Sequence, residues 1–161
     1  MTDNTLDLTC AAFHPDGHLF AAGTASGQIK LFDVKSLENV ANFDSSVAGP
    51  IQALTFSENG TWLATVSNGQ TSISIWDLRK TAEIKTLDIG LPVSKLAWDY
   101  TGQFLAACGP GCIVVQQYSK STKAWSEPLR KAINAVDVQW GANAQSLVSV
   151  TGDGALTALS A

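Results

Sequence analysis

One spacing limits what this chain can become more than any other feature. Aromatic residues close strand-like runs at Phe13, Phe56, Trp98 and Trp140, separated by 43, 42 and 42 residues. Four residues after each comes Gly17, Gly60, Gly102 and then Ala144; three further on stand Phe20, Leu63, Leu105 and Leu147. Three anchors keeping register through four copies define an internal repeat. Units of this length cannot bury an apolar face alone and are stable only when stacked on their neighbours.

Within each copy the chemistry is that of short antiparallel strands. His14-Pro15-Asp16-Gly17 joins the first two runs. Proline presets φ for a turn, aspartate bonds its own backbone, and glycine takes the positive-φ position. Ser57-Glu58-Asn59-Gly60 and Asp99-Tyr100-Thr101-Gly102 repeat the device, and Asn143-Ala144 replaces it in the fourth copy. A third run alternates with period two and β-branched residues, as in Ile29-Lys30-Leu31-Phe32-Asp33 and Ile73-Ser74-Ile75-Trp76-Asp77, with counterparts at 113–117 and 156–160. This is strand rather than helix patterning. A more polar fourth strand is expected at 39–43, 83–87 and 123–129, with no residues left for a helix. Four strands at a period near 42 make an all-β WD-repeat β-propeller the expected fold. It has four blades, at about 8–43, 51–87, 93–129 and 135–161, the last without its outer strand.

The repeat is worn. WD repeats use a buried network of His, Asp, Ser or Thr and Trp. Here Trp76-Asp77 is the only full dipeptide and Phe32-Asp33 a near miss, while Gln116-Gln117 and Leu159-Ser160 replace it. No copy has the histidine (Ser45-Ser46 stands near that place in the second). Asp153 keeps the turn aspartate, with Ser26 and Asn68 nearest the other positions. Burial of apolar surface is therefore expected to hold the blades in place of the network.

Charge narrows the function. The chain is 45% apolar and 15% charged, against about 25% charged in a typical globular protein. With 10 basic and 14 acidic residues it carries −4, and its longest basic feature is Arg130-Lys131. That argues against a nucleic-acid surface, which needs clustered Lys and Arg. No stretch reaches the roughly 18 apolar residues of a membrane-spanning helix, and the opening Met1-Thr2-Asp3-Asn4 is unlike a signal peptide.

Three cysteines, an odd number, fit a reducing compartment better than a disulfide framework. Cys108 and Cys112 flank Gly-Pro-Gly, but zinc needs two more ligands, and His14 and His18 lie far upstream. Buried thiols are the expected reading, with no metal and no cofactor. P-loop, HExxH, GxSxG and EF-hand spacings do not occur. His14 and Asp16 flank a turn proline without a nucleophile beside them, so turn chemistry is expected there rather than catalysis. Asn59-Gly60-Thr61 matches a glycosylation sequon and is read as part of a turn.

Several segments in order are more specific. Phe13-His14-Pro15-Asp16-Gly17, Val40-Ala41-Asn42-Phe43, Gly49-Pro50-Ile51, Phe56-Ser57-Glu58-Asn59-Gly60 and Trp76-Asp77-Leu78-Arg79-Lys80 resemble the pre-mRNA-processing factor nineteen family. These are the spliceosomal U-box ubiquitin ligases of the NineTeen complex. The match is densest from Leu8 to Leu87. The resemblance implies a longer parent with a U-box, a tetramerising coiled coil and a seven-repeat propeller, of which this chain is similar to the last four repeats. It also implies a nuclear setting and a scaffold that holds splicing-complex subunits and ubiquitination substrates. No U-box residue has a counterpart here, so no enzymatic role carries over. The alternative is a WD scaffold of another multiprotein complex; an enzymatic propeller would need converging carboxylates or histidines on the central channel, of which the loops carry almost none.

Four blades cover about four-sevenths of a seven-bladed ring. Exposed blade faces and a strand edge are then expected, favouring self-association or pairing with a missing propeller half. Binding in a propeller concentrates on the loops joining fourth to first and second to third strands. Here these are 44–50, 88–92, 24–28, 68–71, 109–111 and 152–154. Thr9, Gln52, Lys95 and Asp137 enter the first strands on that rim, and Asn68, Gln70, Lys95 and Asp137 are the candidate partner contacts.

Overall fold

The computed structural model describes residues 7–45 and 48–160; Met1–Asn4 and Ser46 lie outside them. Blade 1 consists of β1 (Leu8–Phe13), β2 (Leu19–Thr24), β3 (Gln28–Asp33) and β4 (Asn39–Asp44). Blade 2 consists of β5 (Ile51–Phe56), β6 (Trp62–Ser67), β7 (Ser72–Asp77) and β8 (Ala82–Asp88). Each is an antiparallel meander in sequence order. Blade 3 begins with β9 (Lys95–Trp98), β10 (Phe104–Gly109) and β11 (Cys112–Ser119), and its outer strand is two pieces, β12 (Ala124–Trp125) and β13 (Leu129–Lys131). Blade 4 has β14 (Ala135–Trp140), β15 (Ser146–Thr151) and β16 (Leu156–Ser160). The fold is the expected all-β propeller arrangement, with three strands in the last blade.

Two local features differ from expectation. The outer strand foreseen at 123–129 divides because Pro128 has no N–H to give the ladder. Tyr118 and Ser119 pair with β12, whereas Ile113 to Val115 pair with β13. In blade 4 the turn glycine is replaced, and residues Ala142–Ala144 form a short 3₁₀ turn with Ala144 at φ 51°. No α-helix occurs among the described residues.

The anchors pair as the repeat requires. Phe13 faces Phe20, Phe56 faces Leu63, Trp98 faces Leu105 and Trp140 faces Leu147. Most of the core lies between blades. Ile29, Leu31 and Phe43 of blade 1 pack with Ile51, Leu63 and Trp76 of blade 2. Ile73, Ile75 and Leu87 of blade 2 meet Leu96, Leu105 and Val114 of blade 3. Ala106, Cys108 and Ile113 of blade 3 meet Val138 and Leu147 of blade 4. Each fully buried Ile or Leu contributes on the order of 1.5–3 kcal/mol.

The residue after each closing aromatic secures its turn by different chemistry. His14 Nδ1 lies 2.8 Å from Asp16 Oδ1. Ser57 Oγ accepts the Trp62 N–H at 3.0 Å and donates to Asn59 Oδ1 at 2.9 Å. Asp99, 1% exposed, accepts the N–H groups of Thr101, Gln103 and Phe104. Gly141 holds that place in blade 4, where a Cβ would come within 2.2 Å of Ser146 Oγ. Blade 2 also keeps one bond of the WD network: Trp76 Nε1 donates to the buried Thr65 Oγ1 at 2.9 Å.

Candidate partner-binding rim

The rim is built where turns return the chain to the inner strands β1, β5, β9 and β14. Gly27, Gly69, Gly111 and Gly154 all have positive φ, which lets the second-to-third connections stay short. Those turns are tied to neighbouring loops. Asn68 N–H donates to Pro50 O at 2.7 Å, and Val93 N–H donates to Gln70 O at 3.3 Å. Gly111 N–H donates to Asn134 Oδ1 at 3.1 Å, and Gln28 Nε2 to Asp44 Oδ1 at 2.9 Å. The rim backbone is thus largely committed, and side chains are what it can offer a partner.

Asn68 and Lys95 are exposed, while Gln70 and Asp137 are partly so. Asn68 and Gln70 share one turn of blade 2. Lys95 and Asp137 belong to the inner strands of blades 3 and 4. They hold one register position, opposite Cys108 and Val150, and in blades 1 and 2 that position is Cys10, opposite Gly23, and Ala53, opposite Val66. Thr9 and Gln52 do not share it. They sit at β-bulges, where the pairing skips one residue, as Val136 does in blade 4. The four polar residues entering the first strands are therefore two structural sets.

Around Lys95 the inner wall carries two thiols. Burial pushes the Cys108 thiol above its usual range; the Ser94 hydroxyl and Lys95 oppose this, and the Asp137 carboxylate adds to it. Burial also raises Cys10, with the Thr9 hydroxyl, a bond to Gly23 and Lys95 acting the other way. Cys10 and Thr9 both donate to the Ile51 carbonyl, tying blade 1 to blade 2. Gly23 is required at this junction, because a Cβ there would lie 2.6 Å from Ile51 Cβ. Asp137 Oδ1 accepts its neighbour Val138 N–H at 2.8 Å. Among the described residues no group of three His, Cys, Asp or Glu is placed to hold a metal ion.

Sequence reasoning missed Cys10 and Ala53 as equivalents of Lys95 and Asp137. Counting back three residues from each closing aromatic, rather than seeking polar residues near strand starts, would have found them. It also missed Val136, 50% exposed beside Asp137.

Known proteins share both sequence and fold. A family model described as the nucleolar protein 10-like N-terminal domain, a β-propeller, matches residues 1–150. Pre-mRNA-processing factor 19 of Schizosaccharomyces pombe is 31% identical over 153 residues, covering 94% of this chain and 31% of that protein. The human protein of that name is 40% identical over 132 residues, covering 80% and 25%. The chain thus spans about a third or less of these relatives. The β-propeller domain of Cps50 (Swd1) from Myceliophteria thermophila superposes with a TM-score of 0.81 at 16% identity, over 98% of this chain and 53% of that one. A chain of a mitotic checkpoint complex gives 0.81 at 16% identity, over 96% and 49%. This chain is a WD-repeat propeller region that resembles pre-mRNA-processing factor 19 over most of its length, and it belongs to the β-propeller family of the nucleolar protein 10-like N-terminal domain.

Proposed function

We propose that the chain is the partner- and substrate-holding propeller of a nuclear pre-mRNA-splicing ubiquitin ligase, contributing no catalytic group itself. The observation carrying this reading is the 31–40% identity to pre-mRNA-processing factor 19 over most of the chain, on a WD-type β-propeller fold. Its four repeats, 8–43, 51–87, 93–129 and 135–161, would form part of a seven-bladed ring. Asn68, Gln70, Lys95 and Asp137 would be partner contacts, since hot spots need projecting side chains rather than committed backbone. The test is affinity purification of the tagged chain from nuclear extract. Splicing-complex subunits should be retained, and retention should fall when the four rim residues are replaced together by alanine.

The similarity to the nucleolar protein 10-like domain favours a second reading, a WD scaffold of a complex unrelated to splicing. The same purification then retains a defined set of proteins without splicing subunits. In either setting the uncovered face of blade 1 would be capped by another blade, from a second copy or another propeller segment. Phe13 there is 64% exposed and lies over Phe20, ring centroids 5.2 Å apart. Light scattering should report a dimer or larger species, and Phe13→Glu a monomer.

A further inference from the structure

The three blade junctions use equivalent positions, and one lacks its filling side chain. In blade 1 the outer strand sets Phe43 opposite Ile29, and in blade 2 it sets Leu87 opposite Ile73. Both are buried, 2% and 3% exposed. Phe43 packs on Trp76 of the next blade, centroids 5.5 Å apart. In blade 3 the corresponding residue, opposite Ile113, is Lys131. It is exposed, and the counterpart of Trp76 on blade 4 is Leu159. A lysine ammonium stays in water instead of filling such a gap.

The junction is consequently open. A cavity of about 290 Å³ lies between blades 3 and 4, lined by Ile113, Val115, Trp140, Leu147 and Leu159 among others. Arg130 and Lys131 are the only charged residues on its wall, and neither forms a salt bridge among the described residues. At the low end of the roughly 300–1,000 Å³ range of small-molecule pockets, it suits one anchoring side chain better than a cofactor.

We propose that this groove binds a partner peptide in which a bulky apolar residue stands next to an acidic one. The pattern has a precedent at the other two junctions, where the buried fillers Phe43 and Leu87 are each followed by an exposed aspartate, Asp44 and Asp88. A carboxylate beside the inserted side chain would meet the Arg130 and Lys131 cations, which fork or point-pair with carboxylates. None of the four rim residues lines the groove, so this surface is additional to the rim, and its failure leaves the scaffold reading intact.

The test uses the full chain and a fluorescein-labelled peptide with the sequence of residues 38–45, read by fluorescence anisotropy and amide and indole NMR shifts. Saturable binding is expected, with shifts at the Trp140 indole and Leu159. Replacing the peptide's phenylalanine by alanine, or its aspartate by lysine, should weaken binding about tenfold or more. Arg130→Glu should do the same at an unchanged melting temperature. Lys131→Phe, which supplies the filler within the chain, should abolish binding. No saturation by about 1 mM, equal binding by the Lys131→Phe protein, or shifts centred on Phe13 and Phe20 would each overturn the proposal. Should Lys131→Phe fail to fold, the Arg130→Glu comparison and the Trp140 shift decide.

Discussion

His14 of blade 1 reaches across the junction and donates from Nε2 to the Gly60 carbonyl of blade 2 at 2.9 Å. The imidazole is 13% exposed and stands edge-on to Phe56, centroids 5.2 Å apart. One hairpin turn therefore secures its neighbour. Gly60 has φ +65°, and a Cβ there would lie 1.9 Å from His14 Nε2. Gly60→Ala should destabilise the chain by about 1–3 kcal/mol through backbone strain plus the clash. In urea denaturation, adding His14→Ala should recover the clash component only, because the positive φ remains.

The Trp76–Thr65 bond gives a second prediction. Both residues are buried, and the bond is a retained piece of the WD network in blade 2. Trp76→Phe should cost about 1–3 kcal/mol, because it leaves the Thr65 hydroxyl without its donor and removes packing on Phe43. Adding Thr65→Val should restore part of that loss, as a double-mutant cycle by chemical denaturation would show.

Acid sensitivity follows from the turn aspartates. The His18 N–H and then His14 lower Asp16, and N–H and side-chain bonds from Ser36 lower Asp33. The Thr151 hydroxyl lowers Asp153. Burial works against ionisation of Asp77, yet the N–H groups of Arg79 and Lys80 and the Arg79 guanidinium bring it below its ordinary value. A folded-state pKa below the unfolded one gives stability present above the unfolded value, about 3.9, and lost as pH falls through the folded one. Melting temperature should be flat near neutrality and decline below about pH 4. Asp77→Asn should make that decline shallower.

Thiol reactivity should follow burial. Cys108 is fully buried with a raised pKa, and the thiolate is the reactive species. Iodoacetamide at neutral pH should label the half-buried Cys112 first, with Cys108 reacting only after unfolding, as peptide mass mapping would report.

Rim and core should separate cleanly in mutagenesis. Asn68→Ala, Gln70→Ala, Lys95→Ala and Asp137→Ala should each change stability by no more than about 0.5 kcal/mol, while their combination lowers partner retention. Ile75→Ala, in the core between blades 2 and 3, should cost about 2–5 kcal/mol.

Much of the fold was legible because aromatic, turn glycine and leucine recur with the period that blade stacking demands. Phe13, Phe56, Trp98 and Trp140 pair with Phe20, Leu63, Leu105 and Leu147 as that register requires. What stayed hidden depends on one-residue shifts. The bulges at Thr9, Gln52 and Val136 alter the inner-strand register without any sequence mark, so Lys95 and Asp137 looked equivalent to Thr9 and Gln52. The break at Pro128 was readable in principle, since proline cannot donate to a ladder. The groove needed comparison of Lys131 with Phe43 and Leu87 across copies, where a charge replaces a filler.

The direct measurement is a nuclear Overhauser spectrum of the labelled chain, read for contacts that cross blade boundaries. Fanned, stacked sheets predict cross-peaks from Phe43 to Trp76, from Trp62 to Trp125, and from the Trp140 indole, whose Nε1 lies 3.0 Å from Ala97 O, to blade 3. Cross-peaks confined within single sheets, with none between those pairs, would contradict it.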